Sequence, residues 1–115
     1  MSQQSTPVLA LTALLSGTVA ANRFITPAGA QAGADANTLG VARTGGASGE
    51  RVAVDVLGTA IVEAGAAVAA NATIKTDSSG RAITWATSGA KVGLALQAAG
   101  AAGDFIEVLL IPNVA

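Results

Sequence analysis

The chain contains no cysteine, no histidine and no tyrosine. Without cysteine there are no disulfides and no thiolate chemistry, and redox state fixes no compartment. Without histidine as well, nucleophilic triads and most metal sites are excluded. Aromatic residues number three, Phe24, Trp85 and Phe105, too few for a surface that stacks sugars. Charge is equally sparse: six Lys/Arg stand against seven Asp/Glu, and like charges never run together. Nucleic-acid binding needs a basic stripe, and this chain has none. A polybasic membrane anchor is absent for the same reason.

The segment TPVLALTALLSGTVAA, residues 6–21, has the apolarity of a signal peptide. It lacks the basic stretch that precedes such a peptide, because MSQQST carries no Lys or Arg. It is interrupted by Thr12, Ser16, Gly17 and Thr18 and is too short to span a bilayer. The expectation is therefore neither a signal peptide nor a membrane span.

What the chain has is small residues. The 115 residues include 28 Ala and 14 Gly, against 31 large hydrophobes. A chain of this size makes one domain. Alanine contributes little area when buried, so the core is thin, and subunit contacts are the usual remedy for a thin core. A homo-oligomer is expected.

The chain also repeats itself. VAANRFITPAG begins at Val19, and VAANATIKTDSSG begins at Val68, 49 residues on. The echo extends in order. TLGVARTGGASGERVAVDVL (38–57) is matched by KVGLALQAAGAAGDFIEVLLI (91–111). Gly40 corresponds to Gly93, Ala42 to Ala95, Gly49 to Gly103 and Glu50 to Asp104. Val52, Val54 and Val56 correspond to Ile106, Val108 and Leu110. Repeats at 12–57 and 59–111 suggest one duplicated unit. Two copies are too few for a solenoid and suit a pseudo-two-fold barrel or sandwich.

Locally, RVAVDVL alternates, with Val52, Val54 and Val56 on one face, as in a half-buried strand. FIEVLLI begins in alternation and turns fully apolar, as in a strand buried on both faces. TGGASGE and AAGAAGD are Gly-rich turns before those strands. TDSSGR joins ATIK to AITWA as a β-hairpin. The Ala-rich VEAGAAVAAN favours helix by composition, but only two turns fit, so it reads as a loop or short helical turn. The fold class is all-β: a small barrel or sandwich of two duplicated units, with short helical turns and an extended N-terminal arm. Residues 1–11 form the arm and 12–115 the single domain.

This order of blocks resembles the small capsid cement, or head decoration, proteins of tailed bacteriophages. The resemblance is carried by AAVAANATIKTDSSGRAI, then GAKVGLALQAAGAAGDFIEVLL, with LGVARTGGASGERVAVDVLG as the earlier version of the same device. It covers roughly residues 12–111 and rests on order and spacing, because each motif is only Gly/Ala-rich. The resemblance implies an oligomer, commonly a trimer, on the outer surface of the virion's capsid, with the major capsid protein as partner. It implies no active site and no cofactor. The arm lies outside the repeat. Its functional reading is a segment that orders on the capsid by adding a strand to an exposed edge, which makes Gln3, Gln4, Ser5, Thr6, Pro7 and Val8 the candidate capsid-binding residues. Its other reading is a disordered terminus.

Other chemistry is poorly supported. Asp55, Glu63, Asp77, Asp104 and Glu107 are the carboxylates for acid–base work of the glycosidase kind, but they fall beside turns or on outward strand faces, where solvated charge is the ordinary role. TDSSGR lacks the further acidic ligands of a calcium loop. TGGASGE lacks the Lys and Ser/Thr of a phosphate loop. Trp85 is either a surface anchor or a filler of the core and subunit interface. The competing function is a carbohydrate- or host-surface-binding module, and a weaker one is a small carboxylate hydrolase. The expected function is a non-enzymatic structural virion protein that stabilises the phage head.

Overall fold

A computed structural model describes residues 5–112. Eight antiparallel strands form one sheet: β1 (Pro7–Leu14), β2 (Phe24–Ile25), β3 (Gly40–Ala42), β4 (Arg51–Glu63), β5 (Thr73–Thr76), β6 (Ala82–Thr84), β7 (Gly93–Ala95) and β8 (Phe105–Leu110). Their order is β2-β3-β4-β8-β7-β5-β6, with β1 also laid on β4. The sheet curls into a nearly closed barrel. Its two ends come together where Phe24 N donates to the Gly80 carbonyl at 2.8 Å. A parallel bridge from Ala64 to Ala82 ties the end of β4 to β6.

The expected strands form where the alternation placed them. In β4, Val52 and Val54 are buried on the inner face. In β8, Ile106, Val108 and Leu110 line the core, and Glu107 on the opposite face is also buried. The expected hairpin is β5–β6, closed by the pair Thr76 and Ala82. Asp77 holds its turn, accepting hydrogen bonds from Ser79 N and Arg81 N at 2.8 and 2.9 Å.

The Ala-rich segment after β4 forms no helix. Ala64 N donates to the Asp104 carbonyl at 2.7 Å, and Val68 exchanges two bonds with Ala99. Pairing across the barrel uses the groups that a helix would have paired internally, so context overrides helix propensity.

Corresponding positions in the two halves make the same bonds. Val19 bridges Gly46 as Val68 bridges Ala99. Leu15 N donates to the Glu50 carbonyl as Ala64 N does to that of Asp104. Asn22 N donates to the Ala42 carbonyl at 2.9 Å, and Asn71 N to that of Ala95 at 2.8 Å. Ala42 lies opposite Val54, and Ala95 opposite Val108. Gly49 and Gly103 both take the left-handed backbone, with φ of 91° and 94°. By this correspondence the second half of β4 plays the part of β1: β1 lies on the first half of β4 as the second half of β4 lies on β8.

The core has two parts. The larger cluster of 16 buried residues includes seven alanines and is centred on Phe24, Val62, Ile74, Ile106 and Val108. The smaller holds seven residues, among them Leu15, Val19, Ile25 and Val54. It lies beneath β1 and is open on that side, where Leu9 and Leu11 remain exposed.

Asn22 and Asn71 both sit at positive φ, 61° and 70°. A residue with a Cβ and no compensating polar group is disfavoured there by about 1–2 kcal/mol. Asn22→Ala and Asn71→Ala are each expected to lower the thermal midpoint by about 4–16 °C, whereas Asn→Gly at either site leaves it essentially unchanged. Calorimetry of the four variants checks this.

Candidate functional site

The carboxylates do not converge on a reacting centre. Most are held by partners within the fold. Asp55, in the middle of β4, is buried and accepts from Arg43 Nε at 2.6 Å and Ser5 Oγ at 3.1 Å. Glu63 takes Arg23 at 3.1 Å and Arg81 at 3.6 Å, and Arg81 also reaches Asp77 at 3.1 Å. Asp104 caps the turn before β8, accepting from Gly100 N and Ala101 N, just as Glu50 accepts from Ala47 N before β4. Glu107 is buried on β8, where its backbone N donates to Gln97 Oε1 at 2.9 Å. Among the described residues no three acidic side chains gather where a cation would sit.

Asp35 has a perturbed titration. A hydrogen bond from the Lys75 ammonium, 2.8 Å away, holds its carboxyl below the usual carboxylate range. A lowered folded-state pKa stabilises the fold above the unfolded value of about 3.9, and that contribution is lost as pH falls through the lower value. The Asp35 carboxyl is open to solvent, so its effect on stability is small.

Trp85 is half-buried at the start of the loop after β6. Its Nε1 donates to the Gly89 carbonyl at 3.0 Å, and Lys91 Nζ lies 4.5 Å from the ring centre. The indole therefore braces its own loop. It is neither in the buried core nor fully presented to solvent.

The arm residues divide. Gln3 and Gln4 lie outside the described residues. Ser5 is fastened to Asp55, and Thr6 is fastened twice to Thr59: Thr6 N donates to Thr59 Oγ1 at 3.0 Å, and Thr59 N to the Thr6 carbonyl at 3.1 Å. Pro7 and Val8 belong to β1. The boundary placed at residue 11 thus falls inside a strand: residues 7–11 are sheet. Neutral, β-branched and Leu-rich VLALTAL had that signal, but its position beside a polar terminus hid it. Ser5 is drawn onto the barrel by Asp55, a residue whose role as an anchor had no local signature.

The surface left to do work is apolar. Val8, Leu9, Leu11 and Leu14 on β1, and Phe105, Leu109 and Ile111 at β8, are exposed large hydrophobes. Exposed apolar groups gathered on a small barrel of low net charge mark a surface for contact with another protein.

These features define a small all-β protein most of whose carboxylates serve to hold its own fold. The model of the phage cement protein family matches residues 3–110, and the chain belongs to that family. It is a structural, capsid-associated virion protein. A solved structure described as the head fiber gp8.5 N base in bacteriophage phi29 shares the fold: TM-score 0.71 and 18% identity, over 90% of this chain and 93% of that one. No curated protein matches the sequence.

Asp55→Ala removes the acceptor shared by Arg43 and Ser5. Arg43 is half-exposed and returns to water, so the expected loss is about 2 kcal/mol, that of hydrogen bonds to a charged group. Denaturant unfolding measures it, and amide exchange at Ser5 and Thr6 is expected to speed up in the same variant.

Proposed function

We propose that this protein is a non-enzymatic cement of the phage head, bound to the outer surface of the shell against the major capsid protein as a homotrimer. The family match over residues 3–110 carries the reading. The thin, alanine-rich core and the exposed hydrophobes support an oligomer, because both leave apolar area for other subunits to cover. The absence of a charged stripe supports contacts dominated by apolar packing and hydrogen bonds.

The mechanism follows from valency. A small, uncharged patch binds weakly alone, since association costs roughly 4–15 kcal/mol before any surplus appears. A trimer engaging several coat subunits makes later contacts intramolecular, and avidity then exceeds single-site affinity by roughly 10²–10⁴-fold. A ligand that binds the assembled shell and not its dissociated parts shifts the equilibrium toward assembly.

Within this reading, Gln3, Gln4, Ser5 and Thr6 contact the coat. Pro7 and Val8, held in β1, direct where the arm leaves the barrel. The matching hydrogen bonds of the two halves support descent of the domain from one duplicated unit, with repeats at 12–57 and 59–111.

The test uses heads stripped of this protein, with and without its addition, heated while genome release is followed. A higher release temperature on addition, with little dependence on salt, is the expected outcome. Equal temperatures at saturating occupancy refute the cement role. Removing residues 2–4 is expected to weaken head binding while the barrel, fastened through Ser5 and Thr6, keeps its thermal midpoint.

A further inference from the structure

We infer that the outer face of β8 is a seat for an arginine of a second copy of this chain, with Glu107 of one subunit receiving Arg51 of the next. The inference rests on the homo-oligomeric cement reading and names a residue pair in the contact.

Glu107 is the one carboxylate that the fold leaves without a partner. Among the described residues, the other six acidic side chains each hold a cation or a backbone N–H. Glu107 is bonded through its backbone, and no hydrogen bond or ion pair among the described residues reaches its carboxylate. Yet the residue is 6% exposed. The sealed, unpartnered side-chain atoms among the described residues are Arg23 Nε and Asn37 Oδ1, so the Glu107 oxygens stay reachable from outside.

The surroundings of that carboxylate are apolar. Ile106 and Val108 line the core, so Glu107 points outward. Ile61 lies opposite it on β4, and Leu96, just past β7, donates its N–H to the Glu107 carbonyl at 2.9 Å. Phe105 and Leu109, two residues away on the same face, are 43% and 39% exposed. The arginines nearest along β4, Arg23 and Arg81, are held by Glu63. A nearly buried carboxylate in such a setting is costly unless a cation reaches it. The setting suits a guanidinium. Arginine stacks its plane on an aromatic face, lays its stem on apolar surface and meets a carboxylate with two donors. An ammonium is more strongly hydrated and gains less from such walls. Folding has already taken most water from Glu107, so pairing there adds little further desolvation of the carboxylate.

One arginine of the chain is unengaged. Of the six cations, Arg23, Arg43, Lys75 and Arg81 are ion-paired, and Lys91 lies over the Trp85 ring. Arg51, at the start of β4, is exposed and makes no ion pair or side-chain hydrogen bond among the described residues. It does not reach Glu107 of its own chain. Ile61, opposite Glu107, stands ten positions farther along β4, about 30 Å of strand. The unpaired cation and the unpaired anion of this chain therefore meet only between copies.

The duplication places the two residues on equivalent faces. Val52 and Val54 correspond to Ile106 and Val108, so the outward positions Arg51 and Ala53 correspond to Phe105 and Glu107. On this face one half of the domain carries a free cation beside a small residue, and the other carries a free anion beside an aromatic ring. The halves have diverged into complementary surfaces. A contact between different surfaces of one subunit is heterologous, and one that closes makes a ring, as a trimer requires.

The test is a cycle of substitutions in the full chain: Arg51→Ala, Glu107→Gln and both together. Arg51 is exposed and glutamine keeps the size of Glu107, so the barrel is expected to fold, which circular dichroism checks. Light scattering behind size exclusion, over a dilution series, is expected to give wild type about three times the 11.0 kDa chain mass. Each single variant is expected to dissociate at about 10–100-fold higher concentration, and the double variant at no higher concentration than the weaker single one. Arg51→Glu tests the contact without any change at Glu107, and an oligomer of that variant as stable as wild type overturns the proposal. A wild-type monomer overturns it too, as do losses that add in the double variant. So does an unchanged oligomer in Glu107→Gln that has lost head binding, because the coat protein then supplies the cation. Heads that gain no heat resistance from a wild-type oligomer whose two losses are coupled would end the cement reading and leave this contact standing.

Discussion

The barrel depends on one strand. β4 runs for thirteen residues and pairs with β1, β3 and β8, so it belongs to both halves of the domain. Its pivot is Gly58, with φ of 97°. A Cβ there would collide with the Thr6 carbonyl and crowd Val8 N. Glycine therefore allows the N-terminal strand to close onto β4 at the point where β8 ends. The first half of β4 finishes one unit and its second half begins the next, so a defect at this residue reaches every long pairing in the sheet.

The charged residues serve the same closure. Arg23, Glu63, Arg81 and Asp77 form a linked set that spans the two halves, with Arg23 also donating to the Ser79 carbonyl at 3.0 Å. Asp55 performs the equivalent task for the N-terminal segment. With most carboxylates committed to holding backbone and cationic side chains, the chain's net charge stays near zero. Recognition then falls to shape and apolar area, which suits a protein whose ligand is a large fixed assembly and whose contacts are repeated.

The thin core and the exposed strand are two aspects of one compositional fact. Alanine at Ala60, Ala64, Ala82, Ala90, Ala95 and Ala99 lets strands approach closely but contributes little buried area. The larger hydrophobes that would thicken the core lie partly on the outside, at β1 and the end of β8.

The sequence by itself determined the all-β class, the hairpin around TDSSGR, the inward faces of β4 and β8, and the thinness of the core. Each is encoded in local alternation, turn residues or composition, which act over a few positions. The family was legible too, because order and spacing survive where individual motifs are weak. Tertiary structure decided the rest. That VLALTAL is a strand and not an arm depends on β4 lying beside it. That VEAGAAVAAN avoids helix depends on partners at Ala99 and Asp104. That Asp55 anchors Ser5, and that Glu63 binds Arg23 and Arg81, depends on contacts between residues separated by between 18 and 50 positions in the chain. Pairings of that range leave no periodicity in a sequence, because loop closure and not local propensity brings the partners together.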